Sequence, residues 1–122
     1  MPLPKVDRVM RDALAVYGHL LFECRQVAKA HAVFRGMAVL FPDDALVARS
    51  LGVTSLALGQ PDLALAQATR ARNGSIGDDA VAVEFVRARA LSALGREREA
   101  RAAMSTALAA RSSRRPVKAG SP

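Results

Sequence analysis

The sequence predicts an all-α fold made of three consecutive helix-turn-helix pairs. The 122-residue chain is 51% hydrophobic but only 4% aromatic, with no tryptophan, so its apolar content is mainly Ala, Leu and Val. Such side chains suit closely packed helices better than a sheet. Proline occurs only near the two ends and at Pro42 and Pro61, so few helix breakers interrupt the interior. A pattern that repeats three times along the chain indicates the number of pairs.

The repeat is visible when the chain is aligned with itself. The stretches "LLFECRQVAKAHAVFRGMAVL", "SLALGQPDLALAQATRARNG" and "LSALGREREARAAMSTALAA" each contain an apolar segment, a tight turn and a second segment. A small residue opens each second segment at intervals of 34 and 36 residues: Ala30, Ala64 and Ala100. The residues four and seven positions later are Phe34, Ala68 and Met104, then Met37, Ala71 and Ala107. These offsets share one helix face, which predicts a close crossing with the preceding helix.

The first pair is predicted over residues 11–44, after a lead-in of residues 1–10. Gly18 is the small residue of its first helix, and Pro42 ends the pair. Arg25 occupies the turn position that Gly59 and Gly95 hold in the other two copies. A left-handed backbone conformation is expected there, at the end of a helix.

The second pair is predicted over 45–78 and the third over 81–112. Gly52 and Ala88 are their equivalents of Gly18, and Ile76 stands where the first pair has its proline. A two-residue insertion around "NGSIGDDA" precedes the third pair. The acidic pairs Asp43-Asp44 and Asp78-Asp79 are predicted caps, because carboxylates favour helix N-termini. Residues 113–122 are predicted to form a basic disordered tail.

Charge and composition bear on the class of partner and on the compartment. The net charge is +7, but Arg111 to Pro122 carries four positive charges and no acid, which leaves about +3 on the rest. Aromatic residues that could stack on bases are scarce. We therefore expect no nucleic-acid binding. A weaker hypothesis is a helical-repeat adaptor that associates with RNA or DNA through the basic tail. A single cysteine, no secretory signal peptide and no apolar run of about 18 residues indicate a cytoplasmic protein without direct membrane insertion.

The repeat resembles the tetratricopeptide repeat (TPR), which has 34 residues in two helices. The small, small, aromatic and proline markers of that family match Gly18, Ala30, Phe34 and Pro42, and the likeness covers about 11–112. A chain of this size with three TPRs is similar to the TPR chaperones of bacterial type III secretion systems. The runs "ALAVYGHLLFECRQVAKAHAVFRGMAVLFPDD" and "LALGQPDLALAQATRAR" are most like the YscY-type chaperone, which pairs with the secreted YscX-type protein.

The resemblance implies a right-handed superhelix and a non-enzymatic chaperone without a cofactor. Its expected partner in a heterodimer is a secreted protein, helical or partly disordered, of the same secretion system, with an export-gate component as a candidate second partner. The alternative is a generic TPR scaffold unrelated to secretion. Three short repeats without a capping helix should leave apolar end faces, so we expect marginal stability or self-association in the absence of the partner.

In TPR proteins, fixed positions of the first helix of each pair line a concave groove. Mapped onto this chain, the partner-binding residues are Asp12, Ala15, His19, Phe22 and Glu23 in the first pair, Leu46, Arg49, Val53 and Leu56 in the second, and Phe85 and Arg89 in the third. Ala57, Ala82, Ser92 and Ala93 complete the mapped positions. An apolar groove with a few guanidinium groups suits an amphipathic helix or an extended apolar segment.

The stretch "YGHLLFEC" raises a competing hypothesis, because Cys, His and Glu also bind metals or build nucleophilic sites. His19 and Glu23 share a helix face, and the other histidine, His31, is expected on the outer part of the following helix. Cys24 is expected to be a buried or half-buried small side chain at the helix end. No base or oxyanion site accompanies it. We therefore expect neither a catalytic residue nor a metal site.

Overall fold

The computed structural model describes residues 5–75 and 77–113, and within these residues it contains six α-helices and no strand. The helices are α1 (Lys5–Glu23), α2 (Val27–Leu40), α3 (Ala45–Ala57), α4 (Pro61–Gly74), α5 (Asp78–Ala93) and α6 (Glu97–Ser113). The predicted all-α class is confirmed. α1 begins inside the expected lead-in, and α6 includes Ser113, whereas the rest of the expected tail and Ile76 lie outside the described residues.

Three connections within the fold have the same backbone geometry and define three helix hairpins, α1–α2, α3–α4 and α5–α6. Arg25, Gly59 and Gly95 have φ values of 64°, 75° and 78°, all left-handed. In each turn the next residue donates its N–H to a carbonyl five positions back, as in the bonds from Gln26 to Leu21, Gln60 to Ser55 and Arg96 to Leu91. This is the Schellman ending of a helix. The predicted turn positions are therefore confirmed, including the one held by arginine.

The small marker residues lie where helices cross. Ala30, Ala64 and Ala68 are fully buried, as are Ala71 and Ala107, while Gly18, Gly52, Ala88 and Ala100 are nearly so. A Cβ at Gly18 would lie 2.6 Å from Cζ of Phe34, and one at Gly52 would lie 3.0 Å from Cγ1 of Val86. A side chain at Gly18 would require the ring of Phe34 to move, and one at Gly52 would require Val86 to shift by a few tenths of an ångström, so both glycines permit close packing. The predicted close crossings are confirmed.

Hydrogen bonds tie the first hairpin to the second. Arg11 donates to both carboxylate oxygens of Asp44, with Nη2 2.9 Å from Oδ1. Asp44 is also the N-cap of α3 and accepts from the backbone N–H of Leu46 and Val47. Burial by itself would raise the pKa of Asp44, but the bonds from Arg11 and the backbone outweigh it and hold that pKa below its usual value. The predicted cap at Asp44 is confirmed.

The second acidic pair behaves differently from the prediction. Gly77, with φ of 66°, occupies the N-cap position of α5 and offers no side chain. Asp78 and Asp79 lie in the first turn, where acids still interact favourably with the helix dipole. Asp79 also accepts a hydrogen bond of 2.7 Å from Arg49, which ties α3 to α5. The aspartates therefore stabilise the helix start without capping it.

The core changes in character along the chain. Its first cluster contains Phe34, Met37 and Phe41 together with Val47 and Leu51 from α3. The clusters further along the chain consist mainly of alanine and valine, and Leu91 is the largest side chain among their buried members. Helices α3, α4 and α5 can therefore approach more closely, because smaller side chains separate them.

Candidate functional site

A pocket of about 280 Å³ lies where the first helices of the three hairpins meet, and we call it the central pocket. Its lining residues are His19, Phe22 and Glu23 from α1, Phe34 from α2, Arg49, Ser50, Val53 and Thr54 from α3, and Ala82 and Val86 from α5. Five residues predicted as partner-binding, His19, Phe22, Glu23, Arg49 and Val53, are thus brought together around one cavity. Ala82, a mapped groove position, joins them.

The wall of the central pocket nearest α1 depends on Gly18. Because this residue has no side chain, the ring of Phe34 lies directly against the α1 backbone, where a Cβ would be 2.6 Å from the ring. His19 packs against the same ring with 5.3 Å between centroids and 61° between planes, an edge-to-face arrangement. The close approach of α1 and α2 therefore brings an aromatic ring from the second helix into the pocket lining.

The rim of the central pocket carries charge of both signs. Burial lowers the pKa of His19, the positive charge of Arg49 lowers it further, and Glu23 acts in the opposite direction. The pKa of His19 is therefore below its usual value, so the neutral imidazole is favoured near neutral pH. Arg49 donates one N–H to Asp79. Because a guanidinium has five N–H donors, Arg49 can also donate to a bound partner. The pocket lining thus offers an acid and a guanidinium beside apolar side chains.

Two hydroxyl groups lie inside the apolar lining. Thr54 Oγ1 is 2.7 Å from Nδ1 of His31 and also donates to the carbonyl of Leu51. This contact corrects the expectation for His31, which is half-buried against α3 and does not lie on an outer stretch. Ser50 Oγ is buried and has no hydrogen-bond partner among the described residues. A buried hydroxyl without a partner costs roughly 1–3 kcal/mol, which a bound polar group could recover.

The other predicted partner-binding residues do not line the central pocket. Ala15 is only 6% exposed and belongs to the first core cluster, so little of its side chain is accessible to a partner. Leu46 and Leu56 are half-buried against the core, and Phe85 is half-buried on α5. Asp12 and Arg89 are exposed, and Asp12 pairs with Arg11 at 2.8 Å. The predicted groove residues therefore differ in solvent exposure, although they occupy equivalent positions in the repeat.

Sequence reasoning missed four residues of the pocket: Phe34, Ser50, Thr54 and Val86. The mapping considered fixed positions on first helices, whereas Phe34 comes from a second helix and reaches the pocket because of Gly18. Ser50 and Thr54 each follow a mapped residue, Arg49 and Val53 respectively, and both are buried on α3. The signal that could have found Phe34 was its pairing with a glycine sixteen residues earlier.

Outside the pocket, one titratable side chain differs from expectation and another was not anticipated. Cys24 is exposed, so the expectation of a buried or half-buried thiol is wrong. Glu84, which sequence reasoning did not single out, is buried on α5 and pairs with Arg72 at 2.9 Å and with Arg87 at 3.4 Å.

Within residues 5–75 and 77–113, no three His, Cys, Asp or Glu side chains are grouped so that they could hold a metal ion. No helix of the same part of the chain is long and apolar enough to cross a membrane.

In comparisons with known proteins, no family model matches this chain, and no curated protein matches it.

Proposed function

We propose that the chain is a non-enzymatic TPR protein that binds a segment of a partner protein along its first helices, with the central pocket as the anchoring point. The observation that carries this proposal is the pocket: an apolar cavity formed jointly by three hairpins, with charged side chains confined to its rim. Protein interfaces commonly have this arrangement, an apolar centre surrounded by polar groups.

The dimensions of the central pocket favour a side chain on a peptide segment. The cavity has a volume of about 280 Å³, which is enough for one bulky apolar side chain. This volume is below the usual range for pockets that bind drug-sized ligands. Arg49 and Glu23 could pair with charged residues that flank the anchor on a helical or extended partner. The buried hydroxyl of Ser50 offers a hydrogen bond to a polar group of the anchor.

The TPR assignment rests on the repeated turn and on the buried small residues. Three left-handed turn positions spaced by 34 and 36 residues, each followed by a buried alanine, are the features that the sequence shares with that family. A right-handed superhelix of the hairpins is part of this proposal. Its consequence would be a continuous surface formed by α1, α3 and α5.

Within this class, the resemblance to the YscY-type chaperones favours a cytoplasmic chaperone of bacterial type III secretion. It would hold a secreted partner and help deliver it to the export apparatus. A generic TPR scaffold is the alternative. The two differ in one measurable outcome: removal of a chaperone should abolish export of its partner, whereas removal of a scaffold should leave export intact.

Filling the pocket tests the binding site. Ala82→Trp places a large ring in the cavity, and Ala66→Trp, at an exposed site on α4, is the matched control. Each variant would be co-expressed with a secreted protein encoded beside this chain and examined for a stoichiometric complex. We expect wild type and Ala66→Trp to bind and Ala82→Trp to lose binding at least tenfold while keeping its helical circular dichroism. Equal binding by all three would place the partner on another surface.

A further inference from the structure

Helix α1 carries a second apolar face that the central pocket does not use. Its inner side packs on the core through residues such as Leu14, Ala15 and Leu21. On the opposite side lie Val9, Met10, Ala13, Val16, Tyr17 and Leu20, which we call the outer stripe. The five large members of the outer stripe are between 42% and 63% exposed. Contiguous apolar patches of this kind are uncommon on monomeric proteins and mark interaction surfaces.

The spacing of the outer stripe is that of a two-helix seam. Val9, Ala13, Val16 and Leu20 are separated by four, three and four residues, which is the alternation of inward positions in a coiled coil. Met10 and Tyr17 flank this seam on one side, and Asp12 and His19 flank it on the other. The partner predicted by the spacing is another helix.

The stripe is complementary to itself when two copies run in opposite directions. In an antiparallel pair centred between Leu14 and Ala15, Val9 faces Leu20 of the other copy and Ala13 faces Val16, so each contact joins a smaller side chain to a larger one. On one flank Met10 lies near Tyr17 of the other copy.

On the other flank of such a pair, Asp12 lies near His19, an acid beside a group that can donate a hydrogen bond. Antiparallel helices also place opposite ends of their dipoles together.

In the part of the chain that the structure describes, α6 at the far end of the molecule offers no matching surface. The exposed side of α6 carries Arg98, Arg101, Ser105 and Ala109, and Leu108 is its only exposed large apolar side chain among the described residues. Head-to-tail association of α1 with α6 would cover the outer stripe with this polar surface. Association of two identical stripes forms a closed, two-fold symmetric pair and covers both.

We propose that α1 pairs with α1 of a second copy of this chain in an antiparallel, two-fold symmetric dimer through the outer stripe. The dimer does not depend on the central pocket, because Val9, Ala13, Val16 and Leu20 do not line that cavity. Each copy keeps its own pocket. The four seam residues are thus distinct from the pocket lining, although His19 on the flank of the seam also lines the pocket.

Sedimentation equilibrium of the full chain over a range of concentrations tests the proposal. The wild type should show a reversible monomer–dimer equilibrium. Val16→Glu should weaken the dimer roughly 30-fold or more, the loss typical of a central interface residue. Leu108→Glu, a matched change at an exposed leucine on α6, should leave it unchanged. A wild type that stays monomeric up to roughly 1 mM would overturn the proposal, as would equal dimerisation of Val16→Glu.

Cysteine cross-linking tests the direction of the helices. Cys24 is first replaced by serine because it is exposed. In this background, Ala13→Cys and Val16→Cys chains are oxidised separately and as a mixture. An antiparallel pair should give a disulfide-linked dimer mainly in the mixture, because position 13 faces position 16 of the other copy. Cross-linking of each variant with itself at the level of the mixture would indicate parallel helices and overturn the proposed arrangement.

Discussion

The first and third hairpins share a turn geometry but differ in what they bury and what they expose. The first buries Phe34 and Met37 and exposes seven of the eleven exposed large apolar side chains in the described part of the chain. The third buries mainly alanine, and only Leu94 and Leu108 of its large apolar side chains are exposed. One repeat pattern thus forms two different ends of the molecule, one apolar and one polar.

The difference shows which features a helix-hairpin repeat requires and which it leaves open. The small residue at each crossing and the left-handed turn occur in every copy, since each hairpin must close in the same way. The residue four positions after the first small one varies from Phe34 to Ala68 to Met104, because it contacts a different neighbourhood in each copy. The first hairpin uses this freedom to bring an aromatic ring into the central pocket.

The largest expected effect is a difference in stability between the first and third hairpins when the residue at that variable position is replaced by alanine. Phe34→Ala should lower the free energy of unfolding by about 3–5 kcal/mol, because it leaves a cavity at a fully buried site. Met104→Ala should cost only about 1–2 kcal/mol, since Met104 is half-buried and loses less apolar contact. Urea unfolding followed by circular dichroism measures both. Equal losses would show that the two hairpins are packed alike.

A smaller effect is expected at the turns. Arg25→Gly should raise the free energy of unfolding by about 0.5–1 kcal/mol, because relief of the left-handed conformation exceeds the entropy that glycine adds to the unfolded chain. Gly95→Ala, at the equivalent position of the third hairpin, should lower it by a similar amount. Thermal unfolding of both variants checks the signs. A destabilising Arg25→Gly would indicate that the arginine side chain contributes an interaction that exceeds its strain.

The smallest effect is a pH dependence confined to the first hairpin, which holds both histidines of the chain. Burial lowers the pKa of His19 and of His31, and Arg49 and Arg35 respectively lower them further. The unfolded chain therefore binds more protons than the folded chain just below the usual histidine pKa. The free energy of unfolding should then fall as the pH falls from about 7 to about 5.5.

Hydrogen exchange at the two pH values localises this effect. Protection of α1 and α2 should decrease toward the lower pH more than protection of α5 and α6. A variant with glutamine at positions 19 and 31 is the control, and its unfolding should be insensitive to pH in this range. Equal loss of protection in both hairpins of the wild type would contradict the assignment to the histidines.

The residues of the central pocket show how much of the candidate site could be predicted from the sequence. His19, Phe22, Glu23, Arg49 and Val53 were predicted as groove residues from the resemblance to TPR proteins, and the structure brings all five together around one pocket. Ala15 has the same kind of repeat position but is buried, because it belongs to the core cluster that contains Ala30, Phe34 and Met37 of α2. Periodicity determines the face of a helix, whereas burial depends on which neighbour covers that face.

The sequence alone determined the all-α class, the positions of the three turns and the small residues at the helix crossings, since each depends on local backbone geometry or on spacing along one helix. Only the tertiary structure placed Phe34 in the pocket, left the hydroxyl of Ser50 without a partner among the described residues, paired Arg49 with Asp79 and left the outer stripe exposed. The physical reason is that contacts between residues distant in the chain depend on how the hairpins pack against one another. No pattern within a single helix records that packing.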